Sequence, residues 1–290
     1  MLLRTFARRS TSWSVPSVLV ALSLGLAGCA LDGTATETSH VGASARALEA
    51  SDLADAALEV DGAFVGRAAR ITVDEAGSVA VTFDAGASPD LLSRVLRELS
   101  GNGGDASHLR AQATTDKGVR EIELSTCLMK EVSFSPLKAD DGKGLLMVTV
   151  TWVPTEVKYS NGSGTVIAGK VPSSAVRWSV DVPGLAEADI AGASVTARRP
   201  TKNYAAWAVE GLKVSGSAAY GGGVKAAQEL VDAGAQVDVT LVIADDATGT
   251  TTKVVVPAKP AKVTKGGDDK APQWTLELLC ESQTIAIVQR

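Results

Sequence analysis

Hydrophobic and polar residues alternate along much of the chain. Apolar side chains fall at even positions in three runs, which comprise Ile122, Leu124, Leu128, Val132 and Phe134; Val148, Val150 and Trp152; and Trp274, Leu276, Leu278 and Cys280. A period of two directs successive side chains to opposite faces of a strand. These runs therefore predict β-strands whose even-numbered residues face the core.

The clearest helical pattern follows residue 88. One apolar stripe at the helical period comprises Leu91, Leu92, Val95, Leu96 and Leu99. We expect the Ser88 side chain to cap this helix, Pro89 to take its first position and Gly101 to end it.

Two weaker patterns predict two further helices. Ala227, Leu230 and Val231 predict a helix from Val224 to Ala233, ended by Gly234. A thin stripe predicts a short helix between Arg46 and Leu58, and it consists of Leu48, Leu53, Ala56 and Ala57. Turn-forming residues predict loops at 161–164, 221–223 and 245–249.

Residues near 60 to 158 and near 178 to 290 follow one plan. Each copy opens with a strand and a turn, at 60–62 and at 180–184, and continues with a helix and further strands. Aligning the acidic turns at 140–143 and 268–270 places the core residues Leu146, Val148, Val150 and Trp152 over Trp274, Leu276, Leu278 and Cys280. This agreement in parity favours an internal duplication.

The predicted fold class is mainly β with a few short helices. We expect two tandem β-sandwich or half-barrel modules, each with one flanking helix. Their predicted bounds are 47–160 and 178–290, and a linker at 161–177 separates them.

The first 28 residues have the pattern of an export signal. Three arginines, Arg4, Arg8 and Arg9, precede an apolar run of about ten residues. Such a run is too short to cross a hydrocarbon core of about 30 Å as a helix. Residues 1–28 are therefore predicted to be a cleaved signal peptide.

The end of this segment, Leu26-Ala27-Gly28-Cys29, resembles the lipobox of bacterial lipoproteins. The resemblance implies signal cleavage after Gly28 and diacylglyceryl attachment to the Cys29 thiol. Acyl chains such as palmitate contribute roughly 0.8 kcal/mol per buried methylene, and two chains anchor stably where one does not. The protein is then exported and anchored to the cell membrane, which is the outer membrane in a Gram-negative host. The small polar residues 29–46 are expected to form a flexible tether after the lipidated cysteine.

The negative net charge of the chain argues against a nucleic-acid partner. The whole chain has a formal net charge of −5, and the chain from Cys29 onward is about −8 because the signal carries three arginines and no acid. Nucleic-acid binding needs clustered Lys and Arg, so we expect no nucleic-acid partner.

The stretch Cys127-Leu128-Met129-Lys130-Glu131-Val132-Ser133-Phe134, the acidic turn and residues 145–154 resemble tail-tube proteins of contractile phages and related injection systems. The resemblance implies β-sandwich or half-barrel modules with a flanking helix. It also implies assembly into rings, and hence a homo-oligomer.

The sequence offers no catalytic set, no metal site and no cofactor motif. His40 and His108 have no second ligand at a metal-binding spacing, and the acidic pairs lack the alternate spacing of a calcium loop. No phosphate-binding glycine loop or serine-hydrolase elbow occurs. We therefore expect that the protein is not an enzyme and needs no cofactor.

Two features leave alternatives open. In an oxidising location Cys127 and Cys280 either form a disulfide or remain unpaired, half-buried thiols. Strand parity favours the unpaired state, because Cys280 is on its core face and Cys127 is not. Tyr204 and Trp207 are the aromatic residues that we expect at a contact surface.

The function that these observations favour is a non-catalytic lipoprotein acting as a structural or interaction scaffold. Its partner is then a second copy of the chain, a cell-envelope protein or a glycan. The alternative is a surface lipoprotein that binds a ligand or a cell-wall glycan through its aromatic residues.

Overall fold

A computed structural model describes residues 53–101, 107–115, 118–138, 144–162, 167, 176–199, 207–217, 222–246, 249–268, 271–280 and 285–289. The first half of this region contains strands β1 (Leu53–Val60), β2 (Ala63–Val73), β3 (Val79–Asp84), β4 (Ser107–Thr115), β5 (Gly118–Lys138), β6 (Gly144–Val153) and β7 (Glu156–Gly162), with helix α1 (Pro89–Leu99) between β3 and β4. The second half contains β8 (Val176–Asp181), β9 (Gly192–Arg198), β10 (Ala208–Ser217), β11 (Val237–Asp245), β12 (Thr250–Asp268), β13 (Ala271–Leu279) and β14 (Ala286–Gln289), with helix α2 (Gly222–Ala233) between β10 and β11 and one 3-10 turn at Glu187–Asp189. The prediction of a mainly β chain with a few short helices is confirmed.

The first half closes on itself. Its antiparallel strands pair in the order β4-β1-β2-β3-β6-β5, and the N-terminal part of β5 pairs back onto β4. Six strands therefore form a closed ring of pairings, and β7 continues beside β6 along β5.

The second half repeats this arrangement with one pairing missing. Its strands pair in the order β8-β11-β12-β13-β10-β9, and β14 adds to β12 as β7 adds to β5. Among the described residues, β8 does not pair with β9, whereas their equivalents β1 and β2 form a hairpin. Instead β9 pairs with the C-terminal part of β5, which joins the two halves into one sheet.

The core is formed by the faces that the alternation predicts. Val148, Val150, Trp152, Trp274 and Leu276 are all buried. Each α-helix flanks one half, and both helices contact this core through apolar side chains.

Strand β5 departs from simple alternation because it contains two β-bulges. The register against β4 slips between Leu124 and Cys127, where Thr126 has a φ of 48°. The register against β6 slips again between Met129 and Glu131. The first bulge inverts the faces and the second restores them, so Cys127 and Met129 are buried while Leu128 is only partly buried. The prediction that Leu128 faces the core is therefore wrong.

Helix α1 begins and ends where the sequence predicts, but Ser88 does not cap it with its side chain. The Ser88 hydroxyl instead donates to the Arg67 carbonyl and accepts from the Arg67 N–H, at 2.8 and 2.9 Å. These bonds attach the start of the helix to β2. The chain passes so close at this point that a Cβ on Gly66 would overlap the Ser88 hydroxyl.

Helix α2 begins earlier than predicted. Gly222 and Gly223, which the sequence predicts in a turn, form its first residues. A Cβ on Gly223 would lie 3.0 Å from the Trp274 indole nitrogen, so glycine allows the helix to pack against that ring. The helix ends at Ala233, and Gly234 follows with a φ of 60°, as predicted.

The predicted helix between Arg46 and Leu58 is wrong over its described part. Residues from Leu53 onward form β1, which is hydrogen-bonded to β2 on one edge and to β4 on the other. Two neighbouring strands satisfy the backbone of this segment, and this tertiary pairing outweighs its thin helical stripe. Residues 46–52 lie outside the described residues.

Within the part of the chain that the structure describes, neither helix has the length and apolar character needed to span a membrane.

Candidate functional site

The predicted lipidation site lies outside the described residues. This applies to Leu26, Ala27, Gly28 and Cys29, and also to Tyr204 of the predicted contact patch. These residues remain predictions.

Cys127 and Cys280 are free thiols. The prediction that both are half-buried, with Cys127 off the core face, is wrong for Cys127, which is 1% exposed. Cys127 is buried because the bulge at Thr126 turns it inward, and its thiol donates to the Ser107 carbonyl at 3.0 Å. Cys280 follows β13 and is half-buried. Burial raises the pKa of each thiol to about 11, so both are protonated at neutral pH.

Trp207 lies in the protein interior, which corrects the prediction that its ring forms part of a contact surface. Its side chain is 4% exposed, and its indole N–H donates to the carbonyl of Glu98 at 3.1 Å. The ring therefore closes over the C-terminal end of α1 instead of facing solvent.

Arg199 completes this cluster. Its guanidinium lies 4.7 Å from the centroid of the Trp207 ring and forms an ion pair with Glu98, whose side chain is 13% exposed. The Arg199 side chain is 3% exposed, and its backbone N–H donates to the Lys130 carbonyl on β5. An α1 residue of the first half thus holds the end of β9 in the second half. No local sequence pattern marks this cluster, because its members are distant along the chain.

The junction of β5 and β9 is the site that joins the two halves. Glu131 lies opposite Arg198, and their side chains form an ion pair at 2.5 Å. Ser133 and Thr196 face each other two residues further on, with their hydroxyls 3.2 Å apart. The opposite face of the junction is apolar and buried, and its register pairs are Val132 with Ala197 and Phe134 with Val195. The junction combines backbone pairing, an exposed polar face and a buried apolar face.

A second polar cluster surrounds the β1–β2 turn. The carboxylate of Asp61 accepts from the His108 backbone N–H at 2.8 Å and from Arg94 at 2.6 Å. Partial burial raises the pKa of Asp61, but these bonds outweigh it and the net pKa lies below the ordinary value. The ring of His108 bonds to Glu123 at 2.8 Å. These contacts attach the turn to α1 and β4.

The acidic pairs do not assemble into a metal site in the described part of the chain, where no group of three metal-ligating side chains occurs. Asp246 in the β11–β12 turn forms an ion pair with Arg177 at 2.5 Å, which lowers the pKa of its carboxyl. Asp140, Asp141 and Asp269 lie outside the described residues.

A shallow surface depression lies between β5 and β7. It is lined by Glu121, Glu123, Val157, Lys158, Tyr159 and Ser160. The Tyr159 ring is 37% exposed, and partial burial raises the pKa of its hydroxyl to about 12. Tyr159 is not among the residues predicted at a contact surface. The predicted loop at 161–164 is wrong for Asn161 and Gly162, which are the last residues of β7 and pair with Arg120 and Val119 of β5.

No protein-family model matches the chain, and no curated protein matches it.

Proposed function

We propose that the protein is a non-catalytic, membrane-anchored lipoprotein that acts as a structural or interaction scaffold. One observation carries the proposal: two halves whose strand order is the same, apart from the β8–β9 pairing that the described residues of the second half lack, are joined edge to edge by β5 and β9. A unit that already joins its own repeat through a strand edge has the chemistry to join further strands in the same way.

The anchor part of the proposal rests on Leu26-Ala27-Gly28-Cys29. Metabolic labelling with palmitate should mark the wild-type protein in the membrane fraction. The Cys29→Ser variant should lose the label and leave the membrane. Retention of the variant in washed membranes without label would contradict lipidation as the anchor.

The proposal that the protein is not an enzyme is supported by charged side chains that form ion pairs between segments of the fold. Arg110 bonds to Glu121, Arg198 to Glu131 and Arg199 to Glu98, each pair connecting separate segments of the fold. These charges stabilise strand and helix contacts.

Light scattering after size-exclusion chromatography tests scaffold assembly. A Cys29→Ser variant that lacks the first 28 residues should elute as an oligomer whose mass is a whole multiple of the chain mass. A strict monomer at every concentration would contradict assembly between copies.

A second candidate function is supported by Tyr159. An exposed aromatic ring beside the carboxylates of Glu121 and Glu123 is a suitable surface for a glycan or small ligand. Titration of the soluble variant with cell-wall glycan fragments should then change its aromatic fluorescence, and Tyr159→Ala should abolish the change. A flat titration would contradict this alternative.

A further inference from the structure

The outer face of the second half carries exposed apolar side chains next to lysines. Leu279 at the end of β13 is 60% exposed and Val288 of β14 is 43% exposed, more than any other large apolar side chain among the described residues. Lys259 of β12 pairs with Leu279, and Lys253 pairs with Val288. Directly paired residues of an antiparallel sheet point to the same side, so a lysine lies beside each of these apolar residues.

A third lysine extends this surface. Lys262 pairs with Glu277, which lies two residues before Leu279 and therefore on the same side of β13. All three lysines are exposed, and none forms an ion pair within the described part of the chain; Glu277 forms one with Lys213 instead. We call this surface the β12 lysine face, and it comprises Lys253, Lys259, Lys262, Leu279 and Val288.

The internal repeat identifies the equivalent positions in the first half. The bulge at 260–262 in β12 matches the second bulge of β5. Just before these bulges, Lys259 pairs with Leu279 as Leu128 pairs with Val153. Val153 is therefore the equivalent of Leu279. This register corrects by two residues the alignment of β6 with β13 that the acidic turns predict, and it leaves the parity unchanged.

The equivalent face of the first half is a network of charges that are paired with one another. Arg110 of β4 forms ion pairs with Glu59 of β1 and with Glu121 of β5, at 3.4 and 2.7 Å. His108 bonds to Glu123 at 2.8 Å. The charged side chains of this face therefore find their partners within the fold.

The second half lacks these charge pairs. Counting back from the matching bulges, without the residue that the first bulge adds to β5, sets Lys253 over Glu121 and Val255 over Glu123. One acid is thus replaced by a lysine and the next by an apolar residue. The two halves share a strand order but differ in the chemistry of this surface, and the lysines of the second half are available to an external anion.

Exposed lysines beside exposed apolar side chains suit the surface of an anionic lipid bilayer. Apolar side chains enter such a surface at the level of the headgroups, and lysines contact the lipid phosphates. A second copy bound through the same face would bring like charges together. The proposed lipid anchor at Cys29 keeps the folded part beside a bilayer.

We propose that the β12 lysine face binds an anionic bilayer surface, with Leu279 and Val288 among the headgroups and the three lysines against lipid phosphates. The proposal rests on the proposed anchor at Cys29 and adds a second contact that orients the folded part on the membrane. A contact of this size is weak by itself, but the anchor raises its effective concentration.

Vesicle binding of the soluble Cys29→Ser variant that lacks the first 28 residues tests this contact without the lipid anchor. The variant should sediment with vesicles of equal parts phosphatidylglycerol and phosphatidylcholine, and bind about tenfold more weakly to phosphatidylcholine alone. Added salt should weaken the binding to anionic vesicles. Failure to sediment with anionic vesicles overturns this contact and leaves the anchor proposal standing, because palmitate labelling of the wild type tests the anchor separately.

Charge reversal identifies the lysines that bind. Lys259→Glu combined with Lys262→Glu should lower the vesicle partition coefficient about tenfold or more. Lys158→Glu combined with Lys225→Glu is the matched control, because it makes the same change in net charge at exposed lysines outside this face. The control should lower the coefficient by less than about twofold. Equal losses in the two double variants overturn the proposal, since binding would then follow net charge alone.

Substitution of the apolar residues tests their insertion. Leu279→Ser should lower the partition coefficient about fivefold, whereas Val153→Ser, at the equivalent position of the first half, should leave it unchanged. If a variant fails to fold, as judged by circular dichroism, an environment-sensitive dye attached at Val288→Cys replaces it. Its emission should shift to shorter wavelength with anionic vesicles, and the same dye at Val153→Cys should show no shift. No shift at Val288→Cys, or equal shifts at both positions, overturns the proposal.

Discussion

Glu98 at the end of α1 and Arg199 beyond β9 form a buried ion pair between the two halves of the chain. The Trp207 ring covers this pair, and its N–H donates to the carbonyl of the same glutamate. The cluster fixes the end of β9 near the strand, β5, with which β9 pairs. The two halves are thus joined both by the pairing of β5 with β9 and by the side-chain contacts of Glu98, Arg199 and Trp207.

We predict that Arg199→Met destabilises the fold by about 3–5 kcal/mol, because it leaves the Glu98 carboxylate buried without its partner. Arg198→Met is the matched control. Its ion pairs are substantially exposed, so it should cost about 1 kcal/mol or less. Urea unfolding measures both. Combining Glu98→Gln with Arg199→Met should recover part of the lost stability. Equal losses of unfolding free energy in Arg199→Met and Arg198→Met would contradict a stabilising role for the buried ion pair.

Gly66→Ala should destabilise the fold by at least about 2 kcal/mol. Its φ is 141°, and the added methyl group would lie 2.8 Å from the backbone of Ser88 as well as against its side chain. Gly77→Ala is the control, because Gly77 has a positive φ of 81° but open space around it. It should cost only the backbone strain of about 1–2 kcal/mol. Ser88→Ala should not rescue Gly66→Ala, since the overlap with the Ser88 backbone persists; rescue would contradict the backbone origin of the clash.

The thiols of Cys127 and Cys280 should resist modification at pH 8 in the folded protein. Both pKa values are raised by burial to about 11, so little thiolate forms. In the Cys29→Ser variant, a colorimetric thiol reagent should titrate two thiols only after denaturation in the absence of reductant. A denatured protein with no titratable thiol would establish the disulfide instead.

The same thiols predict a decline in stability at alkaline pH. A thiol whose pKa is higher in the folded protein than in the unfolded chain stabilises the fold while it is protonated. This contribution is complete below pH 9.0, the ordinary thiol pKa, and is lost as the pH rises toward about 11. Cys127→Ala combined with Cys280→Ala should remove this part of the pH dependence. An unchanged slope of unfolding free energy between pH 9 and 11 would contradict the assignment.

Asp61→Asn should destabilise the fold by about 1 kcal/mol at neutral pH. Asparagine tolerates the φ of 53° at this position, so the variant removes the charge and retains the turn. The pKa of Asp61 lies below its ordinary value of 3.8, so its contribution is present above that pH and is lost as pH falls further. Chemical unfolding at pH 7 and pH 3 should show a smaller difference between variant and wild type at pH 3.

Glu75→Gln provides the comparison for Asp61→Asn. Glu75 is an exposed acid in the β2–β3 turn, and its substitution should change stability by less than about 0.5 kcal/mol. If the difference in unfolding free energy between Asp61→Asn and wild type is the same at pH 7 and pH 3, the Asp61 side chain stabilises the turn through its hydrogen-bonding geometry and not through its charge.

The alternation of apolar residues determined most of the strands by itself, because a buried sheet face leaves a period of two in the sequence. Val148, Val150 and Trp152 are buried as this pattern predicts. The stripe from Leu91 to Leu99 likewise determined α1, and the Asp61-Gly62 pair marked a turn. The repeat was visible because equivalent strands keep the same parity after the acidic turns.

Tertiary structure alone decided the features that depend on contacts between distant segments. Two bulges in β5 exchanged Leu128 for Cys127 on the core face, and β2 and β4 together made a strand of residues 53–58. The burial of Trp207 by Arg199 and Glu98 also has no local signature. A local pattern records which face a residue prefers, whereas register slips, strand neighbours and edge pairing are set by the partner segments that the fold brings together.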